Sequence, residues 1–373
     1  MIHTRMQAGR PQTMNGNNFN ADLLQVARLA ASLNQTDLSQ QLGVGQNTLS
    51  RWESGLRVPS EDEIDRIAET LGRPVGFFYR TERPLAVDAG FMFHRKRAKT
   101  KQSTLQTLHA KLNVTRLAIA SLLKQLADWE VRFHRMPIED FSSAAEVAQL
   151  LRASWQVNKG PIRNLVEMVE AAGAVVVSFD FGTRDIDAVG WWPWDTPPLM
   201  FLNSSAPADR VRFSLAHELG HLVMHEVPSN TMEPEADLFA SEFLVPEASA
   251  KTELRDITPA KLWQLKQRWR VSGQCLVRRA SDAGTIDERR YKSLMCYFSK
   301  QGWRKAEPYP IDTESSSTLS RIMGAFTSDL GYSETELREL MGVTSDELAT
   351  LFALKAPRPT LRLVTEDLKR KPR

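Results

Sequence analysis

Apolar positions recur at helical spacing along most of the chain, and a single region breaks that rhythm. Leu23, Leu24, Ala27, Ala30 and Ala31 fall on one face of a first helix. Thr36 is placed to cap a second helix, with Leu38 and Leu42 turned inward. Gly43 ends it, because the residue just past a helix end often needs positive φ. Residues 46–52 read as a third helix stopped by Ser54-Gly55, and Pro59-Ser60 opens a fourth through Ile64, Ile67, Ala68 and Leu71. Phe77, Phe78 and Tyr79 close the bottom of this small bundle, while residues 1–18 carry no apolar period and read as a loose arm. Over 104–133 an amphipathic pattern runs through Leu105, Leu108, Leu112, Leu117, Leu122 and Leu126. Such a helix either joins the two halves of the chain or makes a homodimer through its leucines.

A helical pair is expected over 144–152 and 161–172, and then the period changes. Residues 174–181 (AVVVSFDF) are β-branched and aromatic, and 190–194 and 199–202 read as further short strands. A long helix over 209–225 and another over 233–244, ended by Pro246, follow. More helix is expected through Trp269 and Arg278, before a polar, proline-containing linker at 302–317. The tail then repeats the head: TDLSQQLGVGQNTLSRW from Thr36 aligns without gaps on TELRELMGVTSDELATL from Thr335, a helix, tight glycine turn and helix used twice. The pattern predicts a mainly α protein with a small β-sheet, of α+β class.

At 373 residues the chain has room for two or three domains. No apolar run is long enough for a membrane span and the N-terminus lacks a secretory signal, so the expected location is the cytoplasm. Cys275 and Cys296, the two cysteines, exclude a disulfide framework and are expected to be buried thiols. The net charge is only +3, yet residues 1–101 hold 14 Lys/Arg against 10 Asp/Glu, with Arg95, Lys96, Arg97, Lys99 and Lys101 clustered at their end. A basic N-terminal portion on a near-neutral chain fits contact with a polyanion.

The second helix of the head has the chemistry for that contact. Gln46, Asn47, Thr48, Ser50 and Arg51 are presented while Leu49 and Trp52 face inward. Asn and Gln can pair bidentately with adenine and Arg with guanine, and Gln35 can donate to a phosphate. The pattern Gln35-Thr-Asp-Leu-Ser, Gly43-Val, Leu49-Ser-Arg-Trp-Glu53-Ser-Gly55 and Pro59 resembles the XRE/Cro-type repressor family, which implies a helix–turn–helix that binds double-stranded operator DNA. The tail copy carries Ser345, Asp346 and Glu347 where the head has Gln46, Asn47 and Thr48. Phosphates repel those acids, so this copy is expected to pack or oligomerise instead.

His217-Glu218-Leu219-Gly220-His221 carries a different chemistry. Histidines four apart share one helix face, so both imidazoles can reach one Zn²⁺, and Glu218 is placed as a general base. The third ligand is expected on the next helix at Glu233, with Glu235 as fallback and Asp237 behind a ligand histidine; Glu242 is expected at solvent or against an arginine. His225 is read as a packed or hydrogen-bonded residue. Trp191, Trp192 and Trp194 are read as a strand packed against the metal-binding helix.

RFSLAHELGH (212–221), EPEADLFA from Glu233 and Phe243-Leu-Val-Pro246 look like the ImmA/IrrE family of zinc-peptidase-like proteins. By position the resemblance implies His217, His221 and Glu233 as ligands and Glu218 as base, with no His or Tyr assigned to an oxyanion. The expected organisation is an arm at 1–18, a helix–turn–helix domain at 19–83, a linker and long helix at 84–135, a zinc-peptidase-like domain at 136–310 and a helical domain with a basic tail at 311–373. The resemblance implies a bacterial or phage regulator whose metal domain senses a signal or cleaves a partner regulator, often the neighbouring gene product. The alternative is the protease effector of a toxin–antitoxin or phage-defence pair.

Overall fold

The computed structural model describes residues 19–85, 100–126, 129–157, 160–194, 196–304 and 306–352. The expected arm, Arg95, Lys96, Arg97 and Lys99 of the basic cluster, and the basic tail lie outside the described residues. The fold is mainly α with one small sheet.

Four helices form the head: α1 (Ala21–Ala30), α2 (Gln35–Leu42), α3 (Gln46–Glu53) and α4 (Glu61–Thr70), closed by a 3₁₀ turn at Val75–Tyr79. The cap of α2 is Asn34, not Thr36: its side chain accepts from the Asp37 amide while Asp37 returns a bond to the Asn34 backbone. This reciprocal box satisfies two of the amides a helix start leaves open. Gly43 follows at φ +67°. Ala31 lies past the end of α1 and is exposed; Val26 takes a buried place on that face.

The long helix α5 (Gln102–Leu123) is shorter than the apolar pattern suggests. From Trp129 the chain is out of the helix: the Trp129 indole donates to the Gly173 carbonyl, and the Arg132 amide to Ala172. Phe133 thereby enters a separate aromatic cluster with Trp155 and Trp192. Leu105, Leu108, Leu112, Leu117 and Leu122 of α5 are buried within the chain itself, where the helix packs on α1.

Helices α6 (Ala144–Ser154) and α7 (Leu165–Ala171) lead into a three-stranded sheet of β1 (Val175–Phe179), β2 (Ala188–Trp191) and β3 (Leu199–Asn203). The order is β1-β3-β2, parallel between β1 and β3 and antiparallel between β3 and β2. The second strand thus begins earlier than the pattern predicts and ends at Trp191, which packs on Phe201 and on His109 of α5; Trp194 lies beyond it, fully exposed. The β3 strand is buried on both faces, which explains its apolar run from Leu199 to Leu202.

Two core clusters meet at this sheet. One gathers the head, α5, Val175, Val177, Phe201 and the C-terminal helices; the other gathers Val176, Met200 and Leu202 with the helices that follow. Those are α8 (Ala208–Met224), α9 (Met232–Leu244), α10 (Glu247–Glu253), α11 (Pro259–Trp269), α12 (Gly273–Asp282) and α13 (Glu288–Lys300). Glu242 is buried against Arg279 rather than at solvent, and Cys296 is exposed, whereas burial pushes the part-buried Cys275 thiol up to about 12.

The polar stretch after α13 is no free linker. Glu307 accepts from Lys266 at 2.8 Å and from the first amides of α12, and Glu314 pairs with Arg212 and accepts from the first amides of α7. The chain then forms α14 (Thr318–Gly324), continued by a π turn at Ala325–Asp329, then α15 (Glu334–Met341) and α16 (Ser345–Leu351). The last two docks onto the head: Arg73 donates to the Gly342 carbonyl at 2.8 Å and to Glu347 at 2.5 Å, and Arg80 donates to the Leu340 carbonyl.

Candidate metal centre and nucleic-acid interface

The metal-type site is built where α8 ends and α9 begins. His217 and His221 lie one turn apart, with Nε2 atoms 3.0 Å from each other. Glu233, in the first turn of α9, brings Oε1 to 3.3 Å from Nε2 of His221 and Oε2 to 3.7 Å from Nε2 of His217. Among the described residues this is the one such cluster, its ligand atoms all within 4.8 Å of one another. The end of α8 favours positive charge, and the start of α9 favours the Glu233 carboxylate in its charged form.

The donor set fits Zn²⁺. Tetrahedral coordination at about 2.0–2.2 Å sets neighbouring ligand atoms roughly 3.3 Å apart, close to the 3.0 Å between the two Nε2 atoms and the 3.3 Å from His221 Nε2 to Glu233 Oε1. Two imidazole nitrogens that face each other at 3.0 Å also need something electrophilic between them, a proton or a metal ion.

Behind this cluster, Asp237 Oδ1 lies 2.8 Å from Nδ1 of His217. Glu235 is not at the centre; its Oε2 lies 3.0 Å from Nε2 of His225, so the fallback assignment fails on geometry. His225 is buried, and burial followed by the proximity of His221 lowers its pKa below the ordinary histidine value. Glu218 is half-buried and accepts from the Gly190 amide of β2 at 2.9 Å. A Cβ at Gly190 would stand 3.2 Å from that of Glu218, so the bare backbone lets strand and carboxylate approach. Beside the site lies a cavity of about 200 Å³, lined among others by Trp191, Trp192, Arg135, His221 and His225. Sequence reasoning missed Arg135, whose guanidinium lies over the Trp192 ring, since an arginine in an irregular segment carries no periodic signal.

On the head, Gln46, Asn47, Ser50 and Arg51 are exposed along α3 and Thr48 is half-buried, while Leu49 and Trp52 are buried. Gln35 turns inward: its Nε2 donates to Glu53 at 2.8 Å, joining a buried bidentate pair of Glu53 with Arg28. The donor expected to face a phosphate is therefore engaged in holding α1, α2 and α3 together. The tail unit covers the α4 side of the head and carries Asp346 and Glu347 on its own second helix.

Family comparison agrees with both halves. A model described as helix-turn-helix matches residues 24–78, and the peptidase M78 model, described as IrrE N-terminal-like domain, matches residues 169–281. The chain joins a helix-turn-helix head to an IrrE-like domain. The first is a DNA-binding type of module and the second is protease-like. None of the curated proteins compared matches the chain. No described helix is long and apolar enough to cross a membrane.

Proposed function

We propose that the chain is a regulator that binds operator DNA through α3 and whose IrrE-like domain holds Zn²⁺ and cleaves a partner regulator. The observation that carries this reading is the convergence of His217, His221 and Glu233 in a chain whose α3 stays open to solvent. Asn47 and Arg51 supply base-reading groups and Gln46, Thr48 and Ser50 supply further contacts along the same helix, with Gln35 setting the pose of the unit. At the second site, bound Zn²⁺ supplies Lewis acidity toward water and a peptide carbonyl. His217 and His221 offer neutral imidazoles, Glu233 offers a carboxylate, and Asp237 fixes the ring of His217. Glu218, oriented by the Gly190 amide, takes the proton from water and returns it to the leaving amine.

The test has two arms. Co-expression with neighbouring gene products should yield fragments of one of them, and Glu218→Gln should abolish those fragments while leaving bound zinc unchanged. Should the fragments vanish while regulation in cells persists unaltered, the domain senses a signal and cleavage is no part of its role. On the DNA side, Asn47→Ala and Arg51→Ala should each weaken operator binding by roughly 1–3 kcal/mol in a mobility-shift titration. Unaltered shifts would remove α3 from the groove.

A further inference from the structure

The end of α8 carries a histidine for which the three-ligand centre has no use. His225 is buried, with Nδ1 2.9 Å from Nδ1 of His221 and Nε2 3.0 Å from Oε2 of Glu235. Proton bookkeeping decides what these two contacts can be. If His221 gives its Nε2 lone pair to a cation, its remaining proton sits on Nδ1 and must be donated. His225 then accepts at Nδ1, which places its own proton on Nε2, facing the Glu235 carboxylate. One tautomer of each ring satisfies every contact, and each bond selects the next. The other ligand has a shorter version of the same device, with Nδ1 of His217 set directly against Asp237. All three carboxylates come from α9, so one helix provides both the acidic ligand and the groups that set the histidines.

We propose that His225 and Glu235 form a positioning relay for His221, the counterpart, one imidazole longer, of the Asp237 contact to His217. The relay rests on the reading of His217, His221 and Glu233 as metal ligands. Its role is to hold the His221 ring at the angle and tautomer that metal binding needs and to raise the basicity of its Nε2.

Zinc affinity of the full chain, measured by competition with a chelating dye, tests it. His225→Leu should bind Zn²⁺ roughly 10–100-fold more weakly. His225→Gln should recover most of the loss, because its amide can accept from His221 and donate to Glu235 at once. Adding Glu235→Ala to His225→Leu should cost nothing more, since the relay is already cut. Wild-type affinity in His225→Leu, or a Gln variant as weak as the Leu variant, would overturn the relay, provided that His221→Ala loses the metal. If His221→Ala still binds as the wild type does, the metal centre itself is misassigned. Where His225→Leu does not fold, Glu235→Ala carries the test from a carboxylate only partly buried, and unchanged affinity there overturns the proposal.

Discussion

Gly220 stands between the two histidines because a larger residue does not fit. A Cβ there would lie 2.9 Å from Cδ1 of Phe239, and Phe239 is fully buried and stacked on Phe243, so it has nowhere to retreat. Alanine would gain about 1 kcal/mol of helix propensity and lose about 1–3 kcal/mol to overpacking. Gly220→Ala should therefore lower the urea midpoint. It should also weaken zinc binding, since Phe239 rides on α9 and its displacement carries Glu233 away from the histidines. An unchanged midpoint and affinity would mean that α8 and α9 can part without cost. The spacing of His217, Glu218 and His221 is legible in the sequence because a helix converts four residues into one shared face. The need for glycine is not, because it depends on a ring that arrives 19 positions later in the chain. Glu53 is a similar case: adjacent to the inward Trp52, it looks like a surface acid, and only the fold shows Arg28 and Gln35 closing on it.

The two helix–turn–helix units test how much one element repeats another. Gly43 and Gly342 occupy the same place and adopt nearly the same φ, +67° and +69°. A side chain at either costs roughly 1–2 kcal/mol for the left-handed backbone. At Gly43 nothing lies within 4 Å of an added Cβ, whereas at Gly342 the buried Phe77 ring would be 2.8 Å away. Gly342→Ala should thus destabilise the chain more than Gly43→Ala in matched urea titrations, and equal costs would deny that the tail is locked onto the head. Both turns are readable from Gly-Val after an amphipathic run, since the αL requirement is local. Element ends are less readable. Apolar spacing continues past Leu123 through Leu126, yet the Trp129 and Arg132 donors are claimed by carbonyls at Gly173 and Ala172, which helix periodicity cannot report. The stretch with Glu307 and Glu314 looks like linker for the same reason, because Lys266 and Arg212 are distant in sequence.

At the scale of the molecule, the head is not a bead on a string. Leu24, Leu112, Leu117, Leu337, Met341 and Val343 belong to one buried cluster, which also takes in Val177 and Phe201 of the sheet. Arg73, almost fully buried, donates one terminal guanidinium nitrogen to the Gly342 carbonyl and the other to Glu347, so removing the tail would take both of those partners away. The larger cost of that removal is the apolar surface that α15 and α16 cover, with Leu337, Met341, Val343 and Leu348 all buried in the shared cluster. Elements that share a core open together, and native-state hydrogen exchange reads that directly. The slowest amides of α1, α5 and α15 should therefore exchange with one common opening free energy. Truncation before Thr318 should lower protection in α1 and α5 by the same amount, although α1 is nearly 300 residues from the cut. A head that folds independently would behave otherwise, keeping full protection in α1 while α5 alone loosened. The joint response is expected because the first and last helical units both pack on α5, and the sheet bearing Gly190 also meets α5 through Trp191 and His109.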